Sequence, residues 1–142
     1  MTSENLRNLE KVGQLDAVEF SQNLLDRMLA TARSRLQDAL RVENSAETRF
    51  DCAYTAIRAV ADAALLRQGY RTSTSKPGHH QTTLQCLVHT LNVPTLTVQI
   101  LDGLRKQRNV TDYEGGLVTD ALLQECLEQA RDLLALAERR LK

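Results

Sequence analysis

The stretch AETRFDCAYTAIRAVADAALLRQ, residues 46–68, decides the fold class. Its apolar side chains recur every three or four residues, the spacing that places side chains on one face of a helix. Asn44 and Ser45 stand before it as natural N-caps, and Gly69 follows as a natural end. The stretch therefore predicts a long helix with a buried stripe. The stripe consists of Phe50, Ala53, Tyr54, Ile57, Val60, Ala61, Ala64 and Leu65.

Small residues form a second stripe on the same helix, at Cys52, Ala56, Ala59 and Ala63. Such a stripe lets another helix approach closely. The approach has two interpretations, which the sequence leaves about equally open. One is tight packing inside a single bundle, and the other is a seam between two copies of the chain.

Similar patterns along the rest of the chain predict further helices, separated by an exposed loop over 70–78. Two prolines, six glycines and 4% aromatic residues suit packed helices better than sheets. We therefore expect an all-α protein, an antiparallel four-helix bundle with an additional short helix. We expect a single domain over 1–142, with a short N-terminal helix and lead-in over 1–15. The other predicted helices cover about 4–12, 17–42, 79–91, 95–109 and 114–140.

Composition limits the classes of partner. The 18 Lys and Arg residues balance the 18 Asp and Glu residues, so an anionic partner must be held by a local patch. No apolar run suits a signal peptide or a membrane span, and the three cysteines form no CxxC pair. We expect a cytoplasmic protein with no membrane partner, no metal and no cofactor.

The segment LRKQRNVTDYE, residues 104–114, is the densest polar feature and lies at the junction of two predicted helices. Arg105 and Arg108 are three residues apart and share a helical face, so their guanidinium groups could hold one phosphodiester. Lys106 adds a positive charge. The segment predicts a phosphate or RNA site, and leaves open whether Arg105 or Arg108 faces the ligand.

A structural role explains the same segment without a ligand. The dipole of a helix favours positive charge in its last turn, where the predicted bounds place these cations. Asp112 would then cap the next helix, and as a supporting residue it would fix the junction.

Four segments carry a resemblance to a known family. They are RFDCAY at 49–54, GYR at 69–71, GHH at 78–80 and LDGLRKQRNVTDYE at 101–114. In these segments and in the order of its helices, the chain resembles small bacterial members of the HEPN superfamily over nearly its whole length. The resemblance implies a dimeric helical bundle. It implies a metal-independent endoribonuclease, often a toxin paired with a nucleotidyltransferase antitoxin, or else a nucleotide-binding or non-catalytic module.

The family's active motif is an Arg followed, after four to six residues, by a His, often with a polar residue directly after the Arg. Arg108 and Asn109 match its opening, and Tyr113 stands where the commonest spacing puts the His. The resemblance thus implies catalytic positions at Arg108, Asn109 and Tyr113. A tyrosine, with a pKa of about 10, is a poor base at pH 7 but can orient a hydrogen bond. The motif therefore favours binding over turnover, and enzyme activity stays open.

Two histidines are candidates for the missing imidazole. His79 and His80 follow the 70–78 loop at the start of a short helix, where they could face a groove and bind phosphate. The alternative is that they are exposed residues that cap the helix.

Charged residues on helix 46–68 could support the site. We advance the hypothesis that Arg58 and Asp62 reach the Arg108 segment across the bundle and orient it. The alternative is a solvated salt-bridge ladder along the helix, shared with Arg49 and Asp51.

The sequence thus predicts a HEPN-like homodimer that binds RNA or nucleotide phosphate, with a nucleotidyltransferase as the protein partner that the resemblance suggests. The alternative is a non-catalytic helical interaction or regulatory module. In that module, the RNVTDY segment at 108–113 only holds the bundle together.

Overall fold

The computed structural model describes residues 2–114 and 117–142, with side chains described over 4–111 and 117–142. Helices cover most of these residues, so the predicted all-α class is confirmed. The elements are α1 (Thr2–Lys11), β1 (Leu15–Ala17), α2 (Gln22–Leu40), α3 (Ala46–Arg67), β2 (Tyr70–Thr72), α4 (His79–Gln85), α5 (Leu87–Thr90), α6 (Thr95–Glu114) and α7 (Asp120–Arg140).

Helix α3 lies at the centre of the packing. It contacts α2 most extensively, then α7, and it also contacts α4, α5, α6 and β2. More than half of its residues are buried, including the whole predicted stripe. The Ser45 hydroxyl accepts a hydrogen bond from the Thr48 amide at 3.1 Å, as expected for an N-cap. The prediction for 46–68 is therefore confirmed, and α3 is the element around which the other helices assemble.

The small-residue stripe of α3 serves packing inside the chain. Cys52, Ala56 and Ala63 are buried, and Ala59 is partly buried against the same core. Small side chains on several faces let α3 be surrounded by neighbours. The stripe is therefore occupied by packing within one chain, as the first of its two interpretations predicts.

Two short strands depart from the sequence prediction, which placed β1 in the lead-in and β2 in a loop. They form an antiparallel pair, with Leu15 opposite Thr72 and Ala17 opposite Tyr70. Leu15 is buried in a small cluster with Leu6, Leu65 and Cys86, so contacts with residues fifty or more positions away help to fix the pairing. The prediction was wrong here because strands of three residues leave no periodic signal.

Two predicted helix bounds differ in the structure. Helix α2 begins at Gln22 rather than near 17, since the Ser21 hydroxyl accepts from the Leu24 amide at 3.2 Å. The helix predicted to run to Leu91 is interrupted at Cys86, which separates α4 from α5.

Helix α6 is longer than predicted, and this changes the interpretation of its arginines. It continues to Glu114 instead of ending near 109, because no Gly or Pro stands between Gly103 and Gly115. The last turn of α6 contains no basic residue, and Arg108 lies six residues before the end. The dipole acts within the last turn, so the interpretation of these cations as dipole-stabilising residues was wrong.

Helix α7 begins at Asp120 rather than near 114, where the Thr119 hydroxyl accepts from the Leu122 amide at 3.1 Å. Arg33 of α2 pairs with Glu138 of α7, which joins the two helices that pack most extensively against α3. Over the described ranges, we find no helix with both the length and the apolar character needed to cross a membrane.

The packing of α3 predicts that its small residues resist enlargement. We expect Ala56→Leu to lower the free energy of unfolding by about 1–3 kcal/mol, because the added methylenes enter a filled core. Ala30→Leu, at an exposed position of α2, is the matched control and should change it by less than about 0.5 kcal/mol. Urea unfolding measures both variants, and equal effects would contradict the packing described.

Candidate functional site

A row of polar residues runs along α3 on the side that faces α4 and α6. Asp51, Tyr54, Arg58 and Asp62 are spaced three or four residues apart, so they share one face of the helix. Helices α4 and α6 both pack against α3. An otherwise apolar central helix thus presents polar groups to two of its neighbours.

Arg108 of α6 reaches this polar row. Its Nε donates to Oδ1 of Asp51 at 2.8 Å, and its guanidinium carbon lies 5.4 Å from the centre of the Tyr54 ring. Arg108 also lines a cavity of about 240 Å³ together with Arg58 and Asp62. Arg58 and Asp62 therefore lie on the same side of the bundle as Arg108. This position is the one required by the hypothesis that they orient the Arg108 segment. The alternative of a salt-bridge ladder along α3 was wrong for Asp51, because Asp51 pairs with Arg108 of α6.

Arg58 has an incomplete set of partners. Within the described residues, its buried Nε has no hydrogen-bond partner, and no ion pair joins it to Asp62. A guanidinium N–H can only donate, so the partner that would satisfy it must be an acceptor. Burial raises the pKa of Asp62 above its ordinary value, although the charges of Arg58 and His79 oppose the shift.

His79 and His80 lie beside Arg58 rather than on an exposed loop. Both are partly buried in the first turn of α4, with their ring centres 4.1 Å apart. Together with Arg58 and Asp62 they line a second cavity, of about 620 Å³. The interpretation of these histidines as exposed capping residues was wrong in part, since Gly78 occupies the N-cap and both side chains are partly buried, although Nδ1 of His79 lies 3.3 Å from the Lys76 carbonyl oxygen in an exposed local contact.

His80 is held in its neutral form. Burial lowers its pKa from 6.5 to about 4, helped by repulsion from Arg58, His79, Arg108 and Arg105. These charges come from three helices, α3, α4 and α6, which converge on one imidazole. At neutral pH, His80 therefore presents one N–H donor and one nitrogen acceptor to its surroundings.

The buried polar atoms without partners gather at one place. Among the described side chains, the buried nitrogen and oxygen atoms that lack a hydrogen bond are Tyr54 Oη, Arg58 Nε and His80 Nδ1. Tyr54 lies under Arg108, and the charges of Arg58 and Arg105 act on both Tyr54 and His80. Buried polar atoms in proteins are nearly always paired, so this convergence defines the candidate site.

Arg105 and Lys106 are held at the edge of this site by Asp102. Arg105 Nε donates to Asp102 Oδ1 at 2.7 Å, and Lys106 Nζ lies 3.6 Å from Oδ2. Gln81 of α4 donates to the same Oδ2 at 3.3 Å. The structure thus directs Arg108 to the cavity with Arg58, whereas Arg105 acts on the site through its charge.

The remaining predicted residues are not brought into the cluster. Asn109 is exposed and is not part of the lining of either cavity. The side chains of Asp112 and Tyr113 lie outside the described residues, so the roles predicted for them stay predictions.

Two contributors to the site were not predicted from the sequence. Asp51 was assigned to a surface ladder and Tyr54 to the core alone, yet both hold Arg108. The signal was present in the spacing from Asp51 through Arg58 to Asp62, which places polar residues on one line of a helix that is otherwise apolar.

Metal and thiol chemistry find little support here. Over the ranges that the structure describes, no group of three or more His, Cys, Asp or Glu side chains could hold a metal ion. Burial raises the pKa of Cys86 to about 11 and that of Cys126 to about 12, so both thiols stay protonated at neutral pH. Guanidinium, imidazole and carboxyl groups supply the chemistry of the site.

Comparison of the chain with protein-family models, with curated proteins and with solved structures found no significant match. The interpretation of the site therefore depends on its own geometry and on the segments quoted above.

The surroundings of His80 predict its titration. In a ¹H–¹³C NMR titration, its imidazole should protonate with a midpoint of about 4. Arg58→Met should raise the midpoint by removing a repulsive charge, and His80→Gln assigns the resonance. Because His80 gains a proton more readily in the unfolded chain, stability should fall as the pH drops from 6.5 towards 4. A midpoint of 6.5 in the intact protein would contradict this environment.

Proposed function

We propose that the chain is a HEPN-like protein that binds RNA or a nucleotide through a phosphate group at the candidate site. The observation that carries the proposal is the buried Nε of Arg58, which lacks an acceptor among the described residues. A phosphate oxygen is such an acceptor, and its charge strengthens the hydrogen bond. Arg108 lines the same cavity, and its guanidinium is a second positive group near which the negative charge of a phosphate would be stabilised.

The electrostatics of the cavity support an anion over a cation. The lining of the smaller cavity carries two guanidinium groups, those of Arg58 and Arg108, against the one carboxyl group of Asp62, and Asp51 is engaged by Arg108. His80 adds a neutral imidazole whose buried Nδ1 has no partner among the described residues. A bound anion would offset the repulsion that His80 receives from Arg58 and would raise its pKa.

Metal-independent RNA cleavage is a further step of the same proposal. Attack by the 2′-hydroxyl forms a 2′,3′-cyclic phosphate and breaks the bond from phosphorus to the 5′-oxygen, which leaves as an alcohol. It needs a group that takes the hydroxyl proton and returns a proton to the 5′-oxygen, and groups that stabilise the charge on the phosphoryl oxygens. Arg58 and Arg108 suit the stabilisation of charge. His80 suits the proton transfers once a bound phosphate has raised its pKa, and it stands in for the motif histidine that the sequence lacks.

The finer architecture belongs to this proposal as well. We place the long helices α2, α3, α6 and α7 in an antiparallel four-helix bundle of the HEPN type, supported by the central position of α3 among them. The homodimer, the nucleotidyltransferase partner and the toxin–antitoxin role are supported by the resemblance in sequence alone. The cytoplasmic location is supported by the sequence itself, which has no apolar run that suits a signal peptide and no CxxC pair.

A second candidate function is a non-catalytic helical interaction module, in which Arg108 only joins helices. The contacts of Arg108 with Asp51 and with the Tyr54 ring favour it, because they tie α6 to α3. Arg58 distinguishes the two functions, because within the described residues it joins no helix by an ion pair.

Binding of RNA should depend on Arg58. In filter retention of labelled single-stranded RNA, we expect Arg58→Ala to weaken binding about tenfold or more, since a charge-assisted hydrogen bond is lost. Arg131→Ala, at an exposed position of α7, is the matched control and should bind as the intact protein does. Cleavage products in the same incubations, lost in His80→Gln, would support the endoribonuclease step. Intact protein that retains neither RNA nor nucleotide would refute the proposal.

Stability should separate the structural role of Arg108 from its role in binding. We expect Arg108→Ala to lower the free energy of unfolding by only about 1 kcal/mol, because the ion pair is partly exposed and the ring contact is weak. Asp51→Asn should cost a similar amount while it preserves part of the RNA binding. If both variants lose the same stability and neither loses RNA binding, the interaction module is the better account.

A further inference from the structure

The larger cavity adjoins the phosphate site. Its volume of about 620 Å³ lies between α2, α3, β2 and α4. Arg58 and Asp62 line both this cavity and the smaller one that contains Arg108. A phosphate held at Arg58 would therefore stand at the boundary of the two spaces, with room on one side for the rest of its molecule.

The lining of the large cavity is chemically mixed. Leu24 and Met28 of α2 and Leu66 of α3 give apolar surface. Thr74 brings a hydroxyl group, the Thr72 hydroxyl lies 2.6 Å from that of Thr83, and further lining side chains carry charge, namely Glu19, Arg58, Asp62 and Arg71. A ligand that fits this lining has both apolar surface and hydrogen-bonding groups.

The chemistry of the lining selects among phosphate-bearing molecules. The volume of this cavity, about 620 Å³, lies within the range of about 300–1,000 Å³ that is typical of small-molecule sites. Inorganic phosphate is much smaller and would leave most of the cavity unused. A hydrocarbon chain would bury the charged side chains against apolar groups at a cost. A nucleoside combines a base with apolar faces, polar base edges and ribose hydroxyls that donate to carboxylates.

We propose that this cavity takes the base and ribose of a nucleotide whose phosphate is held at Arg58. This inference rests on the proposed function and extends it, because it assigns a second subsite to the base and ribose. The base lies against Leu24 and Met28, and the carboxylates of Glu19 and Asp62 accept from ribose or base N–H and O–H groups. The nucleotide is either free or part of an RNA strand, since the chemistry of the unit is the same.

Calorimetric titration of the full chain tests the inference with defined ligands. The ligands are the nucleoside 5′-monophosphates, ribose 5-phosphate and a short single-stranded RNA with a 5′-phosphate. At least one monophosphate should bind about tenfold more tightly than ribose 5-phosphate, the gain typical of one packed base. An RNA that binds more tightly than every monophosphate identifies a nucleotide within a strand, and equal affinities identify the free nucleotide.

A pair of matched variants places the base in the cavity. Leu24 and Leu40 belong to the same helix and are 36% and 37% exposed, but only Leu24 lines the cavity. Leu24→Trp should fill the space and abolish the difference between the monophosphate and ribose 5-phosphate. Leu40→Trp should preserve that difference, and urea unfolding of both variants confirms that they are folded.

The outcomes separate this inference from the function on which it rests. A monophosphate and ribose 5-phosphate that bind equally well to the intact protein overturn the inference and leave the phosphate site standing. A base preference that survives Leu24→Trp overturns it as well, because the base then lies elsewhere. If no phosphate-bearing ligand binds the intact protein, the proposed function fails, and the inference fails with it.

Discussion

The burial of α3 is the constraint on which the rest of the structure depends. Neighbours cover this helix on most sides, so the polar groups that it carries cannot all turn to water. Desolvation of a guanidinium is costly unless acceptors surround it, and the Nε of Arg58 is buried. An acceptor in the space between α3, α4 and α6 would satisfy this donor, and under the proposed function that acceptor is a phosphate oxygen.

Charge and proton are coupled at this site. Burial lowers the pKa of His80, and the guanidinium groups of α3 and α6 lower it further by repulsion. His80 therefore stays neutral at physiological pH. A bound phosphate would remove part of that repulsion, so the ligand itself would prepare His80 to accept a proton. The same electrostatics explain why the neutral total charge of the chain is compatible with an anion site, since the balance of 18 against 18 is distributed unevenly in space.

The parts of the fold that local spacing encodes could be predicted from the sequence. The helix over 46–68 and its cap at Ser45 were predictable, because the burial period and the cap are properties of neighbouring residues. The β1–β2 pair was not, because it joins segments more than fifty residues apart. The partner of Arg108 was missed for the same reason, since Asp51 lies 57 residues earlier. Only the packing of α6 on α3 reveals that the two meet.

NMR of the arginine Nε–Hε groups during titration with inorganic phosphate tests the central claim most directly. Arg58→Lys assigns the Arg58 resonance by removing it, and the Arg131 resonance is an internal reference from an exposed arginine. The account predicts a saturable downfield shift of the Arg58 resonance and slower exchange of its Hε with water, because a phosphate oxygen becomes its acceptor. An Arg58 resonance that responds no more than that of Arg131 would contradict the account, since the buried donor would then have no anion as its partner.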